Sequence, residues 1–249
     1  MSRPAQTPLG QLTENGPKIP AISFGLMGMS IGYGEAESDE ERLEVLDRAW
    51  ELGCTNWDTA DIYGDSEDVA GKWFRLHPER RADIFLATKF GLKMEDSGMI
   101  TNSSPEYVLE SANKSLQRLG VDHIDLEGKV KYLGLSETLE IEGAPGTHLM
   151  KSCAELGIAI FAYSPLGRGI LTGRFRTSDD FEEGDVRRNM ARFQGENCQK
   201  NLKIVDTFHE LAAKKGCTPS QLTLAWILEQ SPNIFVIPGT KKIKYLEDN

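Results

Sequence analysis

The chain has 249 residues and a formal net charge of -10, with 39% hydrophobic and 27% charged residues. That composition is ordinary for a globular domain, and the acidic field disfavours a nucleic-acid backbone or an anionic membrane surface as main partner. The length suits one large domain or two small ones, and α/β barrels often run this long as one domain. Cys54, Cys153, Cys198 and Cys217 show no CxxC and no zinc-like spacing, so scattered reduced thiols are expected. The first ten residues hold no apolar signal-like run, and no uninterrupted apolar stretch approaches the roughly 18 residues of a spanning helix. The expected location is the cytosol.

In chain order, Asn15-Gly16 is a two-residue hairpin signal, with arms at 9–12 and 18–21. "AISFGLMGMS" (21–30) reads as a strand ending in glycines. A helix follows over 38–53, capped by Ser38 and stopped at Gly53, with Leu43, Leu46, Ala49 and Trp50 at helical spacing. Then come a strand at 55–64 running into a loop, a helix at 66–77 and a strand at 83–91. The helix at 104–120 has Ser104 as cap, Pro105 at its first position and Gly120 at its end. Further helices are predicted at 146–157, 197–216 and 218–230, the last with Thr218 as cap and Pro219 next. "KKIKYLEDN" closes the chain as a helix start. Segments 92–103 and 170–196 read as polar, Gly-containing loops.

Strands alternate with helices, which argues for a parallel sheet. Seven strands are predicted, at 21–27, 56–60, 84–89, 123–126, 130–136, 158–163 and 234–238. Runs such as "IFLAT", "IAIFAY" and "IFVIP" are nearly all apolar, as in strands buried on both faces. Polar residues gather at their carboxyl ends, where parallel barrels bind ligands. No GxGxxG follows the first strand, which lowers a doubly wound alternative.

Asp58, Tyr63 and Lys89 stand together at two adjacent strand ends. A partly buried lysine needs a counter-ion, which Asp58 is placed to supply. A cation beside a phenol lowers the phenol's pKa, fitting Tyr63 for general acid or base work. Taken singly, each is better read as a turn, rim or solvated residue; their shared location gives the trio weight.

"DTADIYG" followed by "ATKFG", then "GLSE", "AYSPLGRGILTG" and "IPGTKKIKYLEDN" in that order, resembles the aldo-keto reductase family. The likeness covers essentially the whole chain as one domain, 1–249, and is nearest to fungal and microbial aldehyde or pyridoxal reductases. It implies a (β/α)8 TIM barrel with an N-terminal β-hairpin plug, NADPH as cofactor and a small carbonyl substrate. Tyr63 then resembles the proton donor, Lys89 the residue that lowers its pKa and Asp58 the partner of that lysine. Gly28 and Met29 match cofactor-binding positions. Ser136 matches the residue bonding the carboxamide, and Tyr163 the aromatic that stacks on the nicotinamide. Ser164, Leu166, Gly167 and Arg168 match the loop beside the pyrophosphate. Gly239, Thr240, Lys241 and Lys242 match the segment at the adenosine 2′-phosphate, and Asp248 and Asn249 match positions near adenine.

The chain also departs from the family. The family's catalytic histidine closes the fourth strand, and none of His77, His123, His148 or His209 sits there. Only Glu127, Gly128 and Lys129 lie between Leu126 and Val130, where a parallel crossover needs about a dozen residues. After Glu137 no residues remain for the next helix and the sixth strand. Three accounts compete: ordered pieces of a longer chain joined together, a deletion or splice product, or an altered fold. The first is favoured, and predicts a Leu126–Glu127 Cα separation far above the roughly 3.8 Å of a trans peptide. On function, an NADPH-dependent reductase leads. A cofactor-binding or regulatory protein with little turnover and a Schiff-base enzyme using Lys89 are the alternatives.

Overall fold

The computed structural model describes residues 8–12, 16–95, 98–125, 132–135 and 149–249. Strand β1 (Leu9–Gln11) pairs antiparallel with β2 (Lys18–Pro20), forming the expected hairpin; Asn15 lies outside the described residues. Strand β3 (Phe24–Gly25) is shorter than predicted, because Met27–Ser30 turn into a short helix, α1. Helix α2 (Asp39–Glu51) starts at a full capping box between Ser38 and Glu41. Strand β4 (Asn56–Asp58), helix α3 (Ser66–Leu76) and strand β5 (Phe85–Ala87) follow.

The segment read as a mouth loop at 92–103 contains an antiparallel pair instead, β6 (Leu92–Glu95) with β7 (Gly98–Thr101). Helix α4 (Pro105–Leu119) has the predicted cap, Ser104, and ends on left-handed Gly120 at φ 65°. Then come β8 (Tyr132–Leu135), α5 (Leu149–Glu155), β9 (Ala159–Tyr163), α6 (Gly195–Lys215), α7 (Pro219–Glu229), β10 (Ile234–Ile237) and α8 (Ile243–Asp248).

Strands β3, β4 and β5 form one parallel sheet, and β8, β9 and β10 another with β9 central. A seam joins them. Ile22 bridges Val236 in parallel, Ser23 N donates to Val236 O at 2.8 Å, and Gly25 N donates to Pro238 O at 3.0 Å. The strands therefore run β8-β9-β10-β3-β4-β5. Residues 123–125 lie beside β5, where Asp125 N donates to Leu86 O at 3.0 Å, but they lack strand geometry. β8 bonds directly to β9, Leu133 opposite Ile160, so no sixth strand stands between them. The Leu126–Glu127 junction, Ser136, Glu137 and His148 lie outside the described residues.

Two apolar layers hold this arrangement. Outside β3–β5, Trp57, Trp73 and Phe74 pack under α2 and α3, with the two indoles edge to face at 4.7 Å. Between the hairpin and the second sheet, Phe161 stacks on Phe235 at 5.0 Å, beside buried Leu12 and Ile19. All four cysteines are free. Among the described residues, no helix is long and apolar enough to cross a membrane.

Candidate active site

The carboxyl ends of β3, β4, β9 and β10 open into a cleft of about 490 Å³. Asp58 ends β4, and Lys89 follows β5 by two residues. The parallel register sets these ends side by side, with Asp58 opposite Ala87. Lys89 Nζ donates to Asp58 Oδ1 at 2.5 Å and to Thr59 O at 2.6 Å. Tyr63 sits on the loop after β4, its ring centroid 5.2 Å from Lys89 Nζ. The three side chains are thus brought together, but Lys89 is exposed, not partly buried as expected, and only Asp58 and Tyr63 of the trio line the cleft.

The electrostatic expectation for Tyr63 is not met. Burial, the largest influence, pushes its phenol up; Lys89 pulls it down, while Asp58, Tyr163 and Tyr33 push it up again. The net direction is upward. The pull of Lys89 is the strongest of the charge effects, but burial and the nearby acidic groups together outweigh it. Tyr63 therefore stays a protonated phenol at neutral pH.

Most of the predicted cofactor residues line this cleft: Gly28, Tyr163, Ser164, Leu166, Arg168, Gly239, Thr240, Lys241, Lys242, Asp248 and Asn249. Met29 does not; it is 2% exposed in the core beneath α1. Gly167 is buried and sits behind the lining, and its N–H donates to Ser164 O at 2.8 Å. Gly169 N likewise donates to Leu166 O at 2.9 Å, so these two amides close the turn and do not face an anion. The turn is strained. Ser164 (φ 51°) and Arg168 (φ 59°) are non-glycine residues in the left-handed region, and Gly169 has φ 92°. Such residues cost on the order of 1 kcal/mol each and persist where the surroundings impose them.

The lysines are not free points of charge. Lys241 Nζ donates to Tyr33 O and Glu35 O, each at 2.7 Å, and Lys242 Nζ lies 2.6 Å from Glu37 Oε1. Arg168, by contrast, has no ion pair among the described residues. Arg174 stacks over Tyr245 at 4.1 Å. Sequence reading missed Arg174 and the buried Asp185–Arg187 pair, bonded at 2.6 Å with Arg187 over the rings of Tyr33, Phe175 and Phe181. They lie in 170–196, which has no apolar periodicity to flag them. Among the described residues no histidine lines the cleft and no group of ligating side chains fits a metal.

Fold and site together define an α/β protein with its ligand cleft at the carboxyl ends of parallel strands. A model of the Aldo/keto reductase family matches residues 21–127 and 142–249. Aldo-keto reductase str7 of Strobilurus tenacellus is 43% identical, over 93% of this chain and 83% of its own length. The NADP(+)-labelled aldo-keto reductase yakc of Schizosaccharomyces pombe is 40% identical over the same shares. The chain belongs to the aldo/keto reductase family. Both alignments run over 284 residues, more than the 249 of this chain, so these relatives carry residues inserted relative to it. A glycerol dehydrogenase from Gluconobacter oxydans superimposes with a TM-score of 0.78 at 22% identity, covering 96% of this chain and 88% of that one. A thermostable aldo-keto reductase solved with the inhibitor epalrestat gives 0.68 at 20%, covering 97% and 92%. Family and neighbours imply a (β/α)8 barrel.

Proposed function

We propose that the chain reduces an aldehyde or ketone to the alcohol with NADPH, Tyr63 giving the proton. The observation that carries this is Asp58, bonded to Lys89, and Tyr63 lining one cleft with aromatic and cationic walls. The lining fits a phosphorylated dinucleotide: Arg168 and Arg174 have no bonded carboxylate among the described residues, and Lys241 is bonded only to carbonyls. Lys242 must exchange Glu37 for a phosphate. The NADP(+) label of the yeast relative supports the same cofactor.

When bound, the reduced nicotinamide supplies the hydride to the carbonyl carbon. Tyr63 Oη donates its proton to the carbonyl oxygen as the two electrons arrive, so the product leaves as the neutral alcohol. Lys89 stabilises the phenolate left behind, and Asp58 with Thr59 O holds the ammonium in place. Tyr163, at the end of β9, offers a ring face to the nicotinamide. Arg168 and Arg174 would hold phosphate oxygens.

A second reading is a protein that binds the cofactor with little turnover. It is favoured by a cleft that no histidine lines among the described residues. It is also favoured by loss of segments after Leu126 and after Glu137, which we infer from the direct β8–β9 pairing and the longer relatives. Titrating NADPH fluorescence beside an aldehyde turnover assay separates the two. Binding with turnover supports the reductase, binding without turnover the second reading, and no binding rejects both.

A further inference from the structure

Tyr63 is carried on the loop between β4 and α3, which by itself could hold the phenol in many positions. We infer that the buried Glu67–Arg118 pair is a positioning device for Tyr63 and Lys89, an inference that rests on the reductase reading above. Glu67, on α3, is completely buried. Its Oε1 accepts from the Thr88 hydroxyl at 2.7 Å, one residue before Lys89. Its Oε2 accepts from Arg118 Nη1 at 3.0 Å.

Arg118, in the last turn of α4, aims its other donors at the tyrosine loop. Nη1 donates to Asp61 O at 3.1 Å and Nη2 to Gly64 O, the two carbonyls that bracket Ile62 and Tyr63. Nε and Nη2 also bond Asp68 Oδ2 at 3.0 and 2.7 Å, fixing the guanidinium to α3. One carboxylate thus ties the strand end bearing Lys89 to the guanidinium that grips Tyr63 from both sides. α3 and α4 come this close because residue 71 is glycine: a methyl there would overlap the Arg118 carbonyl oxygen.

Neither Glu67, Thr88 nor Arg118 lines the cleft, so they act through Tyr63 and Lys89. An apolar pair would hold two helices together without the desolvation cost of two buried charges. What the polar pair adds is direction, because a planar guanidinium offers several donors in a fixed fork.

The test uses the full chain with Arg118→Met, Thr88→Val and Tyr63→Phe. Arg118→Met is expected to lower kcat for an aldehyde tenfold or more while the NADPH Kd stays within about twofold. On the residual rate of Tyr63→Phe it should cost nothing further. An equal loss on both backgrounds, or a parallel fall in kcat, NADPH affinity and Tm, overturns the inference. A second readout needs no turnover: the ultraviolet titration of Tyr63, taken as the difference from the Tyr63→Phe counterpart. With the loop loosened, water reaches the phenol and its titration should move down by at least half a unit; an unmoved titration in folded protein overturns the inference. If the wild-type chain reduces no aldehyde, the reductase reading fails and the titration alone decides positioning. If Arg118→Met does not fold, Thr88→Val removes one hydrogen bond and should move the titration in the same direction by less. No movement there overturns the inference.

Discussion

Lys89 Nζ lies 2.5 Å from Asp58 Oδ1, and the same ammonium stands 5.2 Å from the Tyr63 ring. The carboxylate is 13% exposed and the lysine 46%, so water reaches the cation while the acid is largely enclosed. Tyr63→Phe should therefore cost kcat on the order of 10² to 10⁴ and leave NADPH affinity within about twofold. Steady-state turnover beside fluorescence titration checks this, and a wild-type-like rate rejects Tyr63 as the donor.

Lys241→Met removes an ammonium held, among the described residues, by the Tyr33 and Glu35 carbonyls in the cleft lining. If that charge meets a 2′-phosphate, NADPH should bind about ten- to a hundredfold more weakly, from a charge-assisted bond of roughly 1.5–3 kcal/mol. NADH affinity should not change. A matched loss for both nucleotides would place Lys241 in the frame of the 33–35 segment, away from any phosphate.

Arg42, 8% exposed, bonds Asp65 at 2.9 Å and also Asp39, joining α2 to the start of α3. Arg42→Met should cost roughly 2 kcal/mol in urea unfolding, below the range for fully buried pairs because Asp65 is half exposed. Hydrogen bonding to Arg42 holds the Asp65 carboxyl below its ordinary 3.8, and bonding to Lys72 does the same for Asp39. A lowered folded pKa contributes stability that is present above about 3.8 and lost as pH falls through the folded value. The urea midpoint of wild type should drop below about pH 4, and that of Arg42→Met should drop less.

Burial pushes the Cys54 thiol up to about 12 from 9.0. A raised folded pKa leaves stability intact below 9.0, and it declines as pH climbs toward 12, because the unfolded thiol ionises first. Cys54→Ala should flatten that alkaline decline. In the native state a disulfide reagent should label Cys217, the one cysteine that is not buried, before Cys54, Cys153 or Cys198.

Much of the scaffold was legible. Ser38, Ser104 and Thr218 each cap the helix they were expected to start, because a side-chain oxygen before an apolar periodic run satisfies the first free N–H groups. Apolar runs located β5, β9 and β10. The β6–β7 pair was missed because its arms, "LKME" and "GMIT", hold a single β-branched pair and no clean alternation. Local spacing placed Lys89 near Tyr63 but said nothing of the tyrosine's own burial, which reversed the expected direction of the phenol's shift. Arg118 and Glu67 are 51 residues apart, and only the packing of α3 on α4 brings them together.

The seam between Ile22 and Val236 makes the cleft a meeting of distant chain parts. Met27 and Tyr63 from the N-terminal part of the chain line it together with Lys241 and Tyr245 from its end. During synthesis the Asp58–Lys89 couple can form once β4 and β5 are out, yet the wall that carries Lys241 waits for β10, more than two hundred residues after β3. The chain should therefore pass through a stage with a reactive-looking tyrosine and an open, sticky edge at β3. Cofactor capture would belong to the last step of folding, and added nucleotide should speed or deepen that closing step while leaving earlier ones alone.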